Sequence, residues 1–283
     1  MTFCRSTKIF PKFACALFLL LAACASHRVE EGASLAHAAG WQWEILSAGT
    51  FDIAVASSPN LGVHSDSDIL MVYLEGDGFA YVRPSQPSVD PTPTDPVALR
   101  LALSDPSNGP VTWIARPCQY TLSNHGRNCR NAYWTGSRYA PEVLDSMGDA
   151  IDILKRRSGA KHLVLVGYSG GGAVAVLLAA RRDDVKSIIT VVGNLDLEYW
   201  TKRDGLAPLS GSLDPAGVAP SLGALPQIHF TGGQDKIVGT DVVRSFVKHL
   251  PAGSPVRLKE IPDYTHACCW ARDWRSLIGD MER

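Results

Sequence analysis

The chain has 283 residues, of which 46% are hydrophobic and 19% charged, with a formal net charge of -1. That balance provides one sizeable core and fits an ordinary single globular domain. With near-zero charge and no Lys/Arg block, the electrostatic footprint of a nucleic-acid binder is missing, so no nucleic-acid partner is expected.

The first residues look like a targeting segment rather than part of the fold. Met1 to Lys12 carries Arg5, Lys8 and Lys12 and no acid, and Phe13 to Ala23 is an apolar run. The run is too short for a stable membrane span; with its basic flank it has the pattern of a signal peptide, assigned to residues 1–23. The junction Leu21-Ala22-Ala23-Cys24 resembles the bacterial lipobox. The resemblance implies that Cys24 becomes the lipidated first residue of a protein held to the membrane of the cell envelope, facing the periplasm or the exterior. An ordinary Ala-rich cleavage site with an incidental Cys24 is the alternative. Residues 24–40 then form a lipid-anchored tether, because Ala25 to Gly40 is small, polar and without evident periodicity.

Seven cysteines sort by position. Cys4 and Cys15 leave with the signal and Cys24 takes lipid, so Cys118, Cys129, Cys268 and Cys269 remain. An even set in an exported chain points to disulfides. Cys118 with Cys129, closing the polar loop PCQYTLSNHGRNCRN, is the favoured bond; the adjacent Cys268 and Cys269 are either a vicinal disulfide or free thiols. Paired CxxC spacing and a histidine cluster are both missing, so neither a metal nor another cofactor is expected.

From Trp41 onward, residues 41–283 read as one domain of alternating strands and helices. WQWEIL (41–46) and FDIAVA (51–56) suggest an antiparallel hairpin across Gly49-Thr50. ILMVYLEG (69–76) is a continuous apolar run, as a strand buried on both faces requires. A helix over 94–103 follows, opened by Thr94-Asp95 as a cap and by Pro96. VTWIAR (111–116) is the next strand. The helix over 140–157 places Val143, Met147, Ala150, Ile151 and Leu154 on one face. HLVLVG (162–167) leads into the apolar helix GGAVAVLLAARR. The strands SIITVVG (187–193), PQIHFTGG (226–233) and VRLKEIP (256–262) complete the set, with a helix over 241–250 capped by Asp241. Strands separated by helices predict an α/β fold: a mostly parallel central sheet with helices on both faces. Residues 194–224, rich in Gly, Pro, Ser and Asp, read as a lid-like insertion.

In such a sheet ligands bind at the carboxyl ends of the strands, where HLVLVG delivers Gly167-Tyr168-Ser169-Gly170-Gly171. This run fits G-x-S-x-G, the nucleophile elbow, in which flanking glycines allow a tight strand-to-helix turn. The following helix aims its N-terminal N–H groups and positive dipole end at the serine. Gly170, Gly172 and Ala175 also match the G-x-G-x-x-A dinucleotide fingerprint, with Asp196 as a ribose-binding acid, but that motif usually opens a fold and here lies past mid-chain. A turn with no chemistry is the third reading.

A serine nucleophile needs a base that is itself oriented by an acid. Asp235 follows the strand IHFTGG and His266 follows VRLKEIP, in the chain order Ser, acid, His. Asp196 is the runner-up acid; Asp263 reads as solvated, and His229 and His249 as packing or surface residues. The oxyanion donors are expected to be the N–H groups of Gly170 and Asp77, the latter from the loop Glu75-Gly76-Asp77-Gly78. Lipases typically carry His-Gly there. A carboxylate at Glu75 serves either to cap backbone N–H groups or to face a cationic group such as a substrate amine. Arg116, Tyr120, Tyr133, Trp134, Arg138 and Tyr139, in and beside the long polar loop 117–139, with Tyr81 and Arg83, either line a cleft or form the small core of a disulfide-tied loop.

Together these motifs resemble the α/β-hydrolase superfamily from about Trp41 to the C-terminus. The resemblance implies a serine hydrolase with Ser169, Asp235 and His266 as its triad, cleaving a small-molecule ester through an acyl-enzyme. A peptidase or amidase on the same residues, and a non-catalytic binding lipoprotein that keeps the fold, are the alternatives.

Overall fold

The computed structural model describes residues 27–63, 67–121 and 126–279. The signal peptide and Cys24 lie outside the described residues. In chain order the elements begin with α1 (27–38), β1 (Gln42–Ala48), β2 (Phe51–Ser57), β3 (Ile69–Leu74), β4 (Tyr81–Arg83), β5 (Gln86–Pro87) and α2 (Val97–Leu103). They continue with β6 (Val111–Ile114), α3 (Pro141–Ser158), β7 (His162–Tyr168), α4 (Gly170–Ala179), β8 (Val185–Val191) and α5 (Leu197–Asp204). The last are α6 (Pro215–Val218), β9 (Gln227–Gly232), α7 (Thr240–His249), β10 (Val256–Ile261) and α8 (Trp270–Gly279).

Eight strands form one sheet in the order β1-β2-β6-β3-β7-β8-β9-β10. β1 pairs antiparallel with β2, and β2 antiparallel with β6; from β6 to β10 every pairing is parallel. The two-residue period of the strands divides the core. Leu163 and Leu165 face one side, against α3, α4 and α7, while Val164 and Val166 face the other, against α2 and α8. The expected parallel sheet with helices on both faces is therefore present. α4 is buried at every residue, which accounts for a helix without a polar stripe. α3 begins with Pro141 at its first position and stops at Gly159, whose φ of 71° suits a residue without Cβ.

Three local expectations need correction. Residues 27–38 are not a flexible tether: α1 packs along the domain with Gly32 and Ala36 buried. A Cβ at Gly32 would lie 2.7 Å from Tyr120 Cε1, so its small residues are a close-packing stripe. At α2 the N-cap is Pro96, which offers no side-chain cap. At α7 the N-cap is Gly239, and Asp241 sits inside the first turn.

The 194–224 segment carries α5, α6 and a 3₁₀ turn over Ala219–Leu222, with Ala219 and Leu222 in the core. It is pinned to the loop before α3 by Gly211 N–H to Gly136 O at 3.2 Å and Leu213 N–H to Tyr139 O at 3.1 Å. Among the described residues no helix is long and apolar enough to cross a membrane.

Candidate active site

β7 passes into α4 through a single residue, Ser169, whose φ of 51° and ψ of -120° are costly for a residue with a side chain. The surroundings hold it there. Its N–H donates to Val191 O at 2.9 Å, and its carbonyl accepts from Gly172 N–H at 2.9 Å and Asn194 N–H at 3.1 Å. Two glycines make the turn feasible: a Cβ at Gly167 would lie 2.2 Å from Gly171 O, and one at Gly171 would lie 2.1 Å from Leu74 O. Gly172, part of the dinucleotide-like match, packs against Gly193 Cα, so the backbone leaves no cradle there.

The structure brings Ser169, His266 and Asp235 into one hydrogen-bonded chain. His266 Nε2 lies 2.9 Å from Ser169 Oγ, and His266 Nδ1 lies 2.9 Å from Asp235 Oδ2. Burial raises the Asp235 carboxyl, but the His266 hydrogen bond and charge, with the N–H groups of Ile237 and Val238, outweigh it and hold its pKa below the usual carboxylate range. An ionised Asp235 only accepts, so in the neutral ring the proton sits on Nδ1, and Nε2 is the nitrogen turned to accept from the serine hydroxyl. The histidine loop is itself fixed: Tyr168 OH donates to His266 O at 3.1 Å, and Trp270 Nε1 donates to Thr265 O at 3.0 Å.

Asp196 is engaged elsewhere. It caps α5 by accepting Tyr199 N–H at 2.9 Å, and its other oxygen accepts from Ser245 Oγ at 2.6 Å. His229 is fully buried with Nδ1 2.8 Å from Thr190 Oγ1, and burial drives its pKa down to about 3. His249, exposed on α7, bonds Ser245 O at 2.9 Å.

The loop after β3 uses its two carboxylates differently. Glu75 is buried, accepting Gly76 N–H at 3.0 Å and Trp113 Nε1 at 3.0 Å. Burial pushes its pKa up to about 7 against those donors and the N–H groups of Ala98 and Leu99. Glu75 thus caps the first turn of α2, the service that Pro96 cannot perform, and of its two expected roles the backbone cap is the one found. Asp77 is gripped by Arg138 Nη1 at 2.6 Å, Arg116 Nη1 at 3.0 Å and Tyr139 OH at 3.0 Å. Burial raises the Asp77 carboxyl, and the two guanidiniums more than offset that, leaving it below the usual range.

This cluster of one carboxylate and two guanidiniums has net positive charge. It lies over the start of α4, since a Cβ on Gly170 would come within 2.2 Å of Asp77 Oδ1. Gln119 Nε2 adds a bond to Gly76 O at 2.9 Å. The backbone N–H groups of Asp77 and Gly170 thus belong to two segments in direct contact beside Ser169.

Ser169 and His266 open into a cavity of about 370 Å³. Its walls include Phe79, Tyr81, Trp200 and Ile237 on the apolar side, and Asp77, Thr94, Asp95, Arg138 and Asn194 among the polar members. Asn194 Oδ1 is buried without a partner among the described residues. Of the aromatic and basic residues expected to line a cleft, Tyr81 and Arg138 do so; Tyr120, Tyr133 and Trp134 are core. The grip on Asp77 escaped sequence reading because its partners lie 39, 61 and 62 residues away.

Cys118 and Cys129 are disulfide-bonded with Cα atoms 5.6 Å apart, the expected pair, and Cys268 is bonded to Cys269. Among the described residues no group of three or more His, Cys, Asp or Glu is placed to hold a metal ion.

A mostly parallel sheet with a serine elbow at the carboxyl end of an inner strand, and an Asp and a His brought to it from the next strand ends, defines an α/β hydrolase. More particularly, residues 127–274, just over half of the chain, match the model of the dienelactone hydrolase family, and the chain belongs to that family.

Solved structures agree in fold. Est1E from Butyrivibrio proteoclasticus aligns with a TM-score of 0.59 at 12% identity, covering 85% of this chain and 97% of that one. The esterase Pf2001 from Pyrococcus furiosus aligns at 0.58 and 14%, covering 86% and 93%. An α/β serine hydrolase homologue from Coxiella burnetii aligns at 0.59 and 14%, covering 86% and 97%. None of the curated proteins compared with the chain matches its sequence.

Proposed function

We propose that the protein hydrolyses carboxylic esters through an acyl-enzyme on Ser169. The observation that carries this reading is the Ser169–His266–Asp235 chain, with both links at 2.9 Å, at the floor of an open cavity. His266 Nε2 takes the serine proton as Oγ bonds to the ester carbonyl carbon. Asp235 holds the ring and stabilises the imidazolium. The developing oxyanion is met by the N–H groups of Asp77 and Gly170, backed by the net positive Asp77–Arg116–Arg138 cluster. His266 then gives its proton to the leaving alcohol, and a water activated by the same nitrogen cleaves the acyl-serine to release the acid.

The aromatic and apolar part of the wall, Phe79, Tyr81, Trp200 and Ile237, suits the apolar part of a small ester. We further propose that residues 1–23 are a removed signal peptide and that Cys24 carries the lipid that holds the enzyme to the bacterial envelope. Labelling by a fluorophosphonate probe tests the nucleophile: the wild type is labelled and Ser169→Ala is not. Comparison of p-nitrophenyl esters with aminoacyl anilides tests the bond cleaved, and faster turnover of anilides would replace the esterase reading with an amidase one.

A further inference from the structure

The start of α1 lies at the mouth of the Ser169 cavity. Arg28 donates to Thr92 O at 2.6 Å and to Asp90 Oδ2 at 3.0 Å, and its guanidinium carbon sits 5.4 Å from the centre of the Phe79 ring. Phe79 is itself a wall of the cavity. Further along the helix Glu31 pairs with Arg100, which also holds Asp95 of the cavity wall, Gly32 meets Tyr120, and the far end feeds β1. The first described turn of the chain therefore lies against Phe79 of the cavity wall.

That rim is apolar and exposed. Phe79, Tyr81 and Ile237, which line the cavity, retain 36%, 37% and 56% of their surface, and outside the lining Val82 in β4 and Val89, two residues past β5, retain 51% and 73%. Arg83 stands exposed among them. Apolar side chains interleaved with arginine suit a phospholipid surface, where the former enter the acyl boundary and the latter meets phosphate.

The length of chain before α1 says which surface this is. Two residues, Ala25 and Ser26, separate Cys24 from His27, so the two are three chain steps apart, and an extended chain advances at most about 3.5 Å per step. Acyl chains on Cys24 would enter their leaflet within roughly 11 Å of the start of α1, and so beside the rim.

We propose that the rim formed by Phe79, Tyr81, Val82, Val89 and Ile237 rests on the lipid leaflet that holds the Cys24 anchor. The cavity then opens toward the membrane and takes esters whose acyl chains reside there. The proposal rests on Ser169 as the nucleophile and Cys24 as the lipidated residue. A hydrophobic ester would reach Ser169 without crossing water, and the insertion of two valines would fix the orientation that a single lipid attachment leaves free.

The test uses the lipidated chain in vesicles of equal parts phosphatidylethanolamine and phosphatidylglycerol. An environment-sensitive fluorophore is placed at Val82→Cys and, as a control, at Ser221→Cys, which is exposed near the amino edge of the sheet. At 82 the emission is expected to shift to the blue and to be quenched by lipids with brominated acyl chains, with neither change at 221. A vesicle-bound protein whose label at 82 stays in water overturns the proposal.

The paired substitution Val82→Asp with Val89→Asp is expected to slow hydrolysis of a long-chain p-nitrophenyl ester dispersed in the vesicles by roughly tenfold or more. Turnover of dissolved p-nitrophenyl acetate is expected to be unchanged. Equal rates on the vesicle-borne ester overturn the proposal. Failure of the underlying readings shows separately. A Cys24→Ser chain that floats with vesicles as the wild type does removes the anchor, and the proposal with it. A protein that hydrolyses no ester but still buries the label at 82 loses the esterase reading and the substrate class while keeping the docked face.

Discussion

His266 Nε2 and Ser169 Oγ lie 2.9 Å apart although 97 residues separate them in the chain. The contact exists because β7 and β10 end at the same edge of the sheet, and because Tyr168, the neighbour of the serine, bonds the carbonyl of His266 at 3.1 Å. A pair held from both sides behaves as a unit. Ser169→Ala, His266→Ala and the double variant are therefore expected to lose similar amounts of ester turnover, with the double little worse than either single. Additive losses in kcat would show that the two act separately.

Asp235 and Asp196 make a matched comparison, since both follow apolar strands. Asp235→Asn is expected to lower kcat by on the order of 10⁴ through loss of the histidine's tautomer and orientation. Asp196→Asn, which weakens a cap and a serine bond, is expected to cost about 1 kcal/mol of stability with kcat nearly intact. Steady-state kinetics alongside thermal melting check both; the reverse pattern would move the acid to Asp196.

Arg116 is buried and does not line the cavity, yet it holds Asp77 at 3.0 Å. Arg116→Gln removes the net positive charge behind the Asp77 and Gly170 N–H groups. It is expected to lower kcat roughly 10-fold to 100-fold with a smaller change in KM, and to weaken a boronate transition-state mimic in step. A fall in melting temperature with the ratio of kcat to mimic affinity unchanged and kcat intact would restrict Arg116 to a structural role.

Glu75 sets a pH dependence whose sign follows from its environment. Burial raises its folded pKa to about 7, above that of an unfolded glutamate. A group raised in this way leaves stability intact below the unfolded pKa and withdraws it as pH rises through the folded one. Its contribution is expected to fall by about 3 kcal/mol between pH 4.5 and 7. Denaturant unfolding across that window should show a decline that Glu75→Gln lacks, although the variant is less stable throughout because its amide faces N–H donors. Parallel curves would remove Glu75 as the source.

The Cys118–Cys129 bond closes a separation of 11 residues, for which chain entropy supplies about 2 to 3 kcal/mol. It also flanks Gln119, which ties down the Gly76 carbonyl. Cys118→Ser with Cys129→Ser is expected to lose that stability and part of the turnover as the loop after β3 loosens. Melting and kinetics measured on the oxidised proteins check it.

The inner strands of the main sheet were legible in the sequence because a strand buried on both faces reads as an apolar run, whereas the half-exposed edge strands β1 and β10 mix apolar with polar residues and were read from their place beside a turn or after a helix. Ser169 could be singled out for a local reason: the turn that exposes it requires Gly167 and Gly171, and this requirement is written within five residues. Asp235 and His266 could be named as candidates by the same edge rule. What chain order could not decide was the choice between Asp235 and Asp196, since both follow strands. The packing of α5 against α7, which spends Asp196 on a cap and on Ser245, separates them.

Other features lay beyond sequence for related reasons. The small residues of 27–38 have the composition of a linker, and only the ring of Tyr120 lying against Gly32 makes them a packed helix. α8 was not anticipated, since its buried face of Trp270, Trp274 and Ile278 has meaning only against the sheet. The Asp77 cluster draws Arg116, Arg138 and Tyr139 from a loop whose own spacing carries no sign of a partner.

Local chemistry, set by backbone sterics and strand burial, is determined along the chain. Charge compensation and close packing join residues far apart in sequence, so the tertiary fold alone decided which carboxylate bonds His266, which guanidiniums neutralise Asp77, and that Arg28 of α1 lies over Phe79 of the cavity wall.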